Sequence, residues 1–139
     1  KNSWDHHLAS FTKREVDKLG LGYTDQSQIL MYNFGLTAGA PSEHHFNGLE
    51  GVNACYSQFF HYLTDTASLV APVTRIEDNV VFFVWQCPSC KVTFATDTVI
   101  FSPQTGKIVR HTFVIDLPGL RLGPPMAERS DQVKSNTLP

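Results

Sequence analysis

Asp97 stands between Thr96 and Thr98 in an otherwise apolar stretch, and strand alternation puts its side chain on the face shared by Thr93, Ala95, Val99 and Phe101. A carboxylate set in an apolar wall has its pKa driven upward by desolvation, which suits it to take or give a proton near neutrality. Asp97 is therefore the first candidate for acid–base chemistry. At a sheet rim the same residue would only accept hydrogen bonds from nearby hydroxyls or backbone amides. His111 is the second candidate. Because strand neighbours point to opposite faces, only one of Arg110 and His111 can share an interior with Asp97. Tyr56, Trp85, Thr96 and Arg110 are the expected lining of such a site, with Asp5 and His7 at its mouth.

Cys87-Pro88-Ser89-Cys90 has a spacing that suits a zinc knuckle or a redox pair. A closed zinc site wants four ligands, and no second cysteine pair exists, so His44, His45 or His61 would have to converge from elsewhere. Redox pairs usually open a helix, whereas this one joins two strands. The expectation is two incidental turn thiols, with no metal and no cofactor. His6-His7 and His44-His45 read as surface or rim residues rather than ligands.

The elements that must position these residues follow from periodicity. Trp4, Leu8, Phe11, Val16 and Leu19 recur at three, four and five, which predicts one amphipathic helix from Ser3 to about Leu19, ended by Gly20 and Gly22. A strand is expected over Ser27 to Phe34, then a Gly- and Ala-rich loop, then a short extended piece from Glu43 to Phe46. Leu49, Val52, Tyr56, Phe59, Phe60 and Leu63 repeat at helical spacing, with Asn47 as cap and Glu50 reaching back. Leu69 to Ile76, Asn79 to Cys87, Val92 to Phe101 and Lys107 to Asp116 are separated by short turn segments, so they form a four-stranded antiparallel meander. Val80 to Trp85 is apolar on both strand faces, which predicts that both are covered. Residues 118–139 carry Pro, Gly, Ser and isolated charges without periodicity, and are expected to be an extended tail lying against a partner surface rather than in the core of the 1–117 domain.

With Phe46-Asn47-Gly48 entering the second helix, Ala95-Thr96-Asp97-Thr98-Val99-Ile100-Phe101 as penultimate strand, and Gly106-Lys107-Ile108-Val109-Arg110-His111 opening the last, the chain resembles the SnoaL-like branch of the nuclear transport factor 2-like superfamily over about residues 3–117. The resemblance implies an α+β fold, a cone-shaped barrel whose curved antiparallel sheet is wrapped by N-terminal helices, often dimeric through the outer sheet. The superfamily includes isomerases, polyketide cyclases, dehydratases, epoxide hydrolases and members that only bind or assemble, and fold alone does not choose among them. Its iota-type carbonic anhydrases carry His-His-Ser-Ser in the last strand. His111-Thr112-Phe113-Val114 keeps only the first His, so that activity is not implied.

Composition narrows the partners. The chain has 139 residues, enough for one core, and 11 Lys and Arg against 13 Asp and Glu give a net charge of -2 and no basic stripe. No nucleic acid and no membrane insertion are expected. Lys1 in place of Met is expected of a trimmed or processed chain, and three cysteines without framework spacing fit a reducing compartment, such as the cytoplasm or an organelle interior entered with loss of a targeting peptide. Two functions follow. The first is a non-catalytic binding or assembly module, its partner another protein subunit or a second copy, docked through the outer sheet and the tail, with a small apolar ligand as a further option. The alternative is a small-molecule enzyme of the cyclase, isomerase, hydratase or lyase kind, with Asp97 or His111 as base. An open cone would favour the enzyme and a filled one the module.

Overall fold

The computed structural model describes residues 2–35 and 37–123. Three helices, α1 (Asn2–Thr12), α2 (Val16–Gly20) and α3 (Gly48–Tyr62), accompany six strands: β1 (Tyr23–Asn33), β2 (Glu43–Asn47), β3 (Val70–Glu77), β4 (Val80–Cys87), β5 (Val92–Phe101) and β6 (Ile108–Ile115). They form one curved sheet in the order β2-β1-β6-β5-β4-β3. The hairpin meander β3 to β6 is antiparallel throughout, while β1 pairs parallel to β6 and antiparallel to β2. The sheet is unclosed, with β2 and β3 at its edges, so the expected barrel is an open cone.

The predicted first helix is two. Arg14 takes a left-handed φ of 59°, and its guanidinium Nη2 donates to the Phe60 carbonyl at 2.8 Å. The break falls where the apolar spacing stretches to five between Phe11 and Val16, too long for one helical face. α3 carries Val52, Cys55, Tyr56, Phe59 and Phe60 as its buried stripe. Its first turn runs close under β2, and a Cβ on Gly51 would come within 2.9 Å of the Phe46 backbone. Asn47 precedes α3 in extended conformation, and its side chain makes no capping hydrogen bond, contrary to the capping expected from sequence.

The inner face of the sheet supplies Ile29, Met31, Val81, Phe83, Trp85, Val99, Phe113 and Ile115 to one buried core with α3. On the other face Phe82 of β4 is 39% and Phe94 of β5 44% exposed, so the described residues leave that face uncovered there.

Two sequence expectations are overturned. Residues 118–123 do not project as a tail: Leu120 and Leu122 are buried, and Gln58 and Gly123 exchange side-chain-to-backbone hydrogen bonds at 2.7 and 2.9 Å. Two leucines spaced by one residue form no periodic face, yet each finds a place in the core left by α3. The rest of the proposed tail, 124–139, lies outside the described residues. Cys87 and Cys90, expected as free thiols, form a disulfide across the turn Pro88–Cys90. Both sulfurs face the Asp65 carbonyl, which also accepts the Ser89 hydroxyl at 2.7 Å.

Candidate active site

Four strands and two helices deliver a connected set of polar side chains into the apolar interior. β5 alternates so that Ala95, Asp97 and Val99 point inward, and β6 does the same with His111, Phe113 and Ile115. β4 contributes Trp85, β1 Tyr23, α3 Tyr56 and α1 His7, and these four are buried together with Asp97 and His111. Asp97 Oδ1 accepts the Trp85 indole N–H at 2.7 Å, and Asp97 Oδ2 lies 2.6 Å from His111 Nε2. His111 Nδ1 lies 2.8 Å from the Tyr23 hydroxyl and 3.3 Å from that of Tyr56, and the two hydroxyls are 2.6 Å apart.

The donors follow from what each group can do. A carboxylate only accepts, so His111 Nε2–H donates to Asp97. Burial holds the Tyr23 and Tyr56 hydroxyls well above the usual tyrosine pKa, so both keep their protons. His111 Nδ1 then pairs with the Tyr23 hydroxyl, and the two tyrosine hydroxyls pair with each other. This assignment satisfies each polar atom of the network, the condition under which a buried polar cluster is stable.

His7 is the exception. It packs edge-on to His111 with ring centroids 5.4 Å apart, yet its Nδ1 is buried without a hydrogen-bond partner. Burial first, then the charges of His111 and His6, push its pKa well below the ordinary histidine value, so it is a neutral imidazole. With Leu8, Phe11, Leu69, Phe83, Trp85 and Asp97 it lines a cavity of about 10 Å³. The Cys55 thiol is pushed upward by burial and by Asp97, so it is a spectator.

The structure brings together Asp97, His111, Tyr56 and Trp85 of the residues picked from sequence, and His7 with them. Thr96 and Arg110, expected as lining, are not part of the site. Each neighbours an inward residue on its strand and so points outward, where Arg110 donates to Gln28 at 3.0 Å and lines a separate hollow of about 380 Å³. Asp5 is exposed on α1 and does not reach the interior. His44, read as a rim residue, is buried beside Phe46. Tyr23 was missed, because it follows two glycines and precedes the recognisable strand; its partner Ile108 is set only by the β1–β6 register. His7 had a signal in sequence, since Trp4, His7 and Phe11 fall on one helical face. Among the described residues no three His, Cys, Asp or Glu side chains converge as a metal site.

No protein-family model and no curated protein matches the sequence. Solved structures do match in fold. A SnoaL-like protein of unknown function from Burkholderia thailandensis superposes with a TM-score of 0.60 at 16% identity, over 81% of this chain and 90% of that one. A candidate SnoaL-like polyketide cyclase from Shewanella denitrificans gives 0.57 at 10% identity, over 96% of each chain. A protein of unknown function with a cystatin-like fold from Methylobium petroleophilum gives 0.62 at 13% identity, over 94% of this chain and 87% of that one. The chain thus has the SnoaL-like, nuclear transport factor 2-like fold.

Proposed function

We propose that the chain is a small-molecule acid–base catalyst of the isomerase, cyclase, hydratase or lyase kind. The observation that carries this reading is the buried Asp97–His111 pair, anchored by Trp85 on one side and the tyrosines on the other, beside a neutral His7 with an unused ring nitrogen. Asp97 lines the cavity and accepts a substrate proton there. Trp85 and His111 fix the carboxylate and share its charge, and His7 faces the oxygen of the substrate. Preorganised donors in a water-poor interior stabilise developing charge better than solvent does. The likeness of the fold to SnoaL-like structures supports the class of chemistry by analogy only.

The test is proton exchange. In deuterated buffer, the protein should speed deuterium uptake at carbons next to the carbonyl in a panel of uncharged cyclic ketones, cyclohexanone among them, as followed by NMR. Asp97→Asn and His111→Gln should lose the acceleration while keeping their circular dichroism spectra. Uptake at the buffer rate across the panel overturns the reading.

One observation favours a second reading, that of a binding or assembly module: the cavity beside the pair is only about 10 Å³, so the cone is nearly filled. In that case the network serves the uniqueness of the core, and the uncovered outer face with Phe82 and Phe94 docks a second copy. Sedimentation would then show a dimer that Phe82→Glu converts to monomer, and a wild-type monomer at all concentrations rules this reading out.

A further inference from the structure

Two hollows lie in one trough between α1 and β4, and a single side chain stands between them. Trp4, His7, Leu8 and Phe11 follow one another along α1, above Val81, Phe83 and Trp85 on the inner face of β4. At one end the trough opens into a cleft of about 420 Å³ walled by Trp4, Ile76, Val81, Phe101 and Pro103. At the other lies the cavity of about 10 Å³ lined by His7, Phe83 and Asp97. The Trp4 ring packs 4.7 Å from Phe83 and 5.8 Å from His7. It belongs to the wall of the cleft while touching two residues that line the inner cavity, so it is the partition.

Two further features bear on what the trough takes. His7 Nδ1 is a buried polar atom left unpaired, a condition uncommon in a settled core. His7 lines the inner cavity and its ring packs against that of Trp4. The Trp4 indole is buried in the core against Phe83 and His7 and, among the described residues, makes no hydrogen bond, so turning it aside breaks none.

We propose that the cleft is the outer half of a binding site for an uncharged, largely apolar small molecule carrying a carbonyl or hydroxyl oxygen, and that Trp4 is the gate between it and the inner half at His7 and Asp97. The walls select the class. Among the described residues lining the cleft Asp78 is the single ionisable one, and it repels anions. A cation would have to shed its water against Trp4, Val81 and Phe101 on its way to the inner half. An uncharged molecule meets apolar surface first and the unpaired imidazole nitrogen last. The cleft's volume falls within the range of ordinary ligand sites, whereas the inner cavity by itself has room for about one water. The proposal rests on the acid–base reading for what happens after entry, but not for binding.

The experiment uses the full chain, labelled with ¹⁵N, and 2-tetralone, an uncharged bicyclic ketone, as the probe. In the wild type, saturable NMR shifts are expected at the Trp4 indole and at the amides of Val81 and Phe101, with small changes at the His7 and His111 ring nitrogens. Trp4→Ala should extend the shifts to both imidazole rings and lower Kd by roughly tenfold, as expected for the added apolar burial. Trp4→Phe keeps an aromatic plug and should fall between the two, so the gate remains testable if the alanine variant does not fold. Ile76→Glu alters a side chain that is 53% exposed and should raise Kd by roughly tenfold by placing a charge in the cleft wall. The proposal is overturned if the probe does not bind, if Ile76→Glu leaves Kd unchanged, or if a folded Trp4 variant leaves the His7 ring unmoved. Binding without proton exchange overturns the acid–base reading alone.

Discussion

His111 Nε2 lies 2.6 Å from Asp97 Oδ2, although neither residue is the other's partner in the sheet: the register sets Asp97 opposite Phe113 and His111 opposite Val99. They are diagonal neighbours on one face, a spacing that a long side chain can span. The pair therefore exists only in this β5–β6 register. A slip of one residue on either strand would turn that strand's member of the pair to the outer face.

Removing one member should expose what the pair contributes. Asp97→Asn keeps the shape but puts an amide where two donors, Trp85 and His111, both need an acceptor. Leaving buried donors short of their acceptor in this way is expected to destabilise by about 1 to 3 kcal/mol for each donor stranded. Replacing both residues together, Asp97→Leu with His111→Phe, removes the His111 donor along with its acceptor but still strands the Trp85 indole N–H, so it should cost no more than the single variant. Urea unfolding at constant m-value reads both changes. A single variant that loses less than about 1 kcal/mol would contradict the network as drawn.

The two tyrosines should differ. Tyr23→Phe removes the 2.8 Å partner of His111 Nδ1, while Tyr56→Phe removes the 3.3 Å one and the 2.6 Å bond between the hydroxyls but leaves the Tyr23–His111 bond intact. The first is expected to destabilise by about 1 to 3 kcal/mol and the second by less. Equal losses in chemical denaturation would mean that the tyrosines contribute through packing and not through the histidine.

Stability should fall on the acid side. The folded pKa of His7 lies well below 6.5, and burial shifts His44 in the same direction. Below pH 6.5 the unfolded chain binds protons that the folded one refuses. Stability is thus full above about pH 6.5 and declines as pH falls, by up to about 1.4 kcal/mol per pH unit for each such histidine. His111, Tyr23 and Tyr56 face His7, so His7→Leu keeps them covered while removing its proton, and should flatten the decline without abolishing it. Identical slopes in urea midpoints for variant and wild type would rule this out. At the alkaline end the raised tyrosines contribute stability that is present below about pH 10 and is lost as pH rises beyond it.

Reducing the Cys87–Cys90 disulfide should leave the fold standing. The bridge closes a loop with a sequence separation of 3. The chain-entropy relation gives about 2 kcal/mol for so short a loop. Cys87→Ser with Cys90→Ser, compared by thermal unfolding with wild type with and without reductant, should show that modest loss, and an unfolded variant would show that the Asp65 loop depends on the bridge.

Leu120→Ala and Leu122→Ala should each destabilise the isolated domain by about 2 to 5 kcal/mol, because both side chains are buried in the core. If either variant instead matches wild type in denaturant midpoint, residues 118–123 are not part of the folded unit.

Local pattern was enough for the meander, for α3 and for the strand face that Asp97 shares with Ala95 and Val99, because side-chain period 2 and period 3.6 are properties of neighbouring residues. The same alternation argued that Arg110 and His111 could not share an interior, and the fold chose His111. The first helix was read as one because a spacing of five between Phe11 and Val16 looks like a helical lapse until the left-handed Arg14 is seen. What no local pattern could supply was the parallel pairing of β1 with β6, which brings Tyr23 to a histidine 88 residues away. The turn of Leu120 and Leu122 back onto α3 was equally out of reach. These depend on which surfaces remain uncovered once the sheet has curved and the helices have packed, and chain entropy and burial settle that over the whole domain at once.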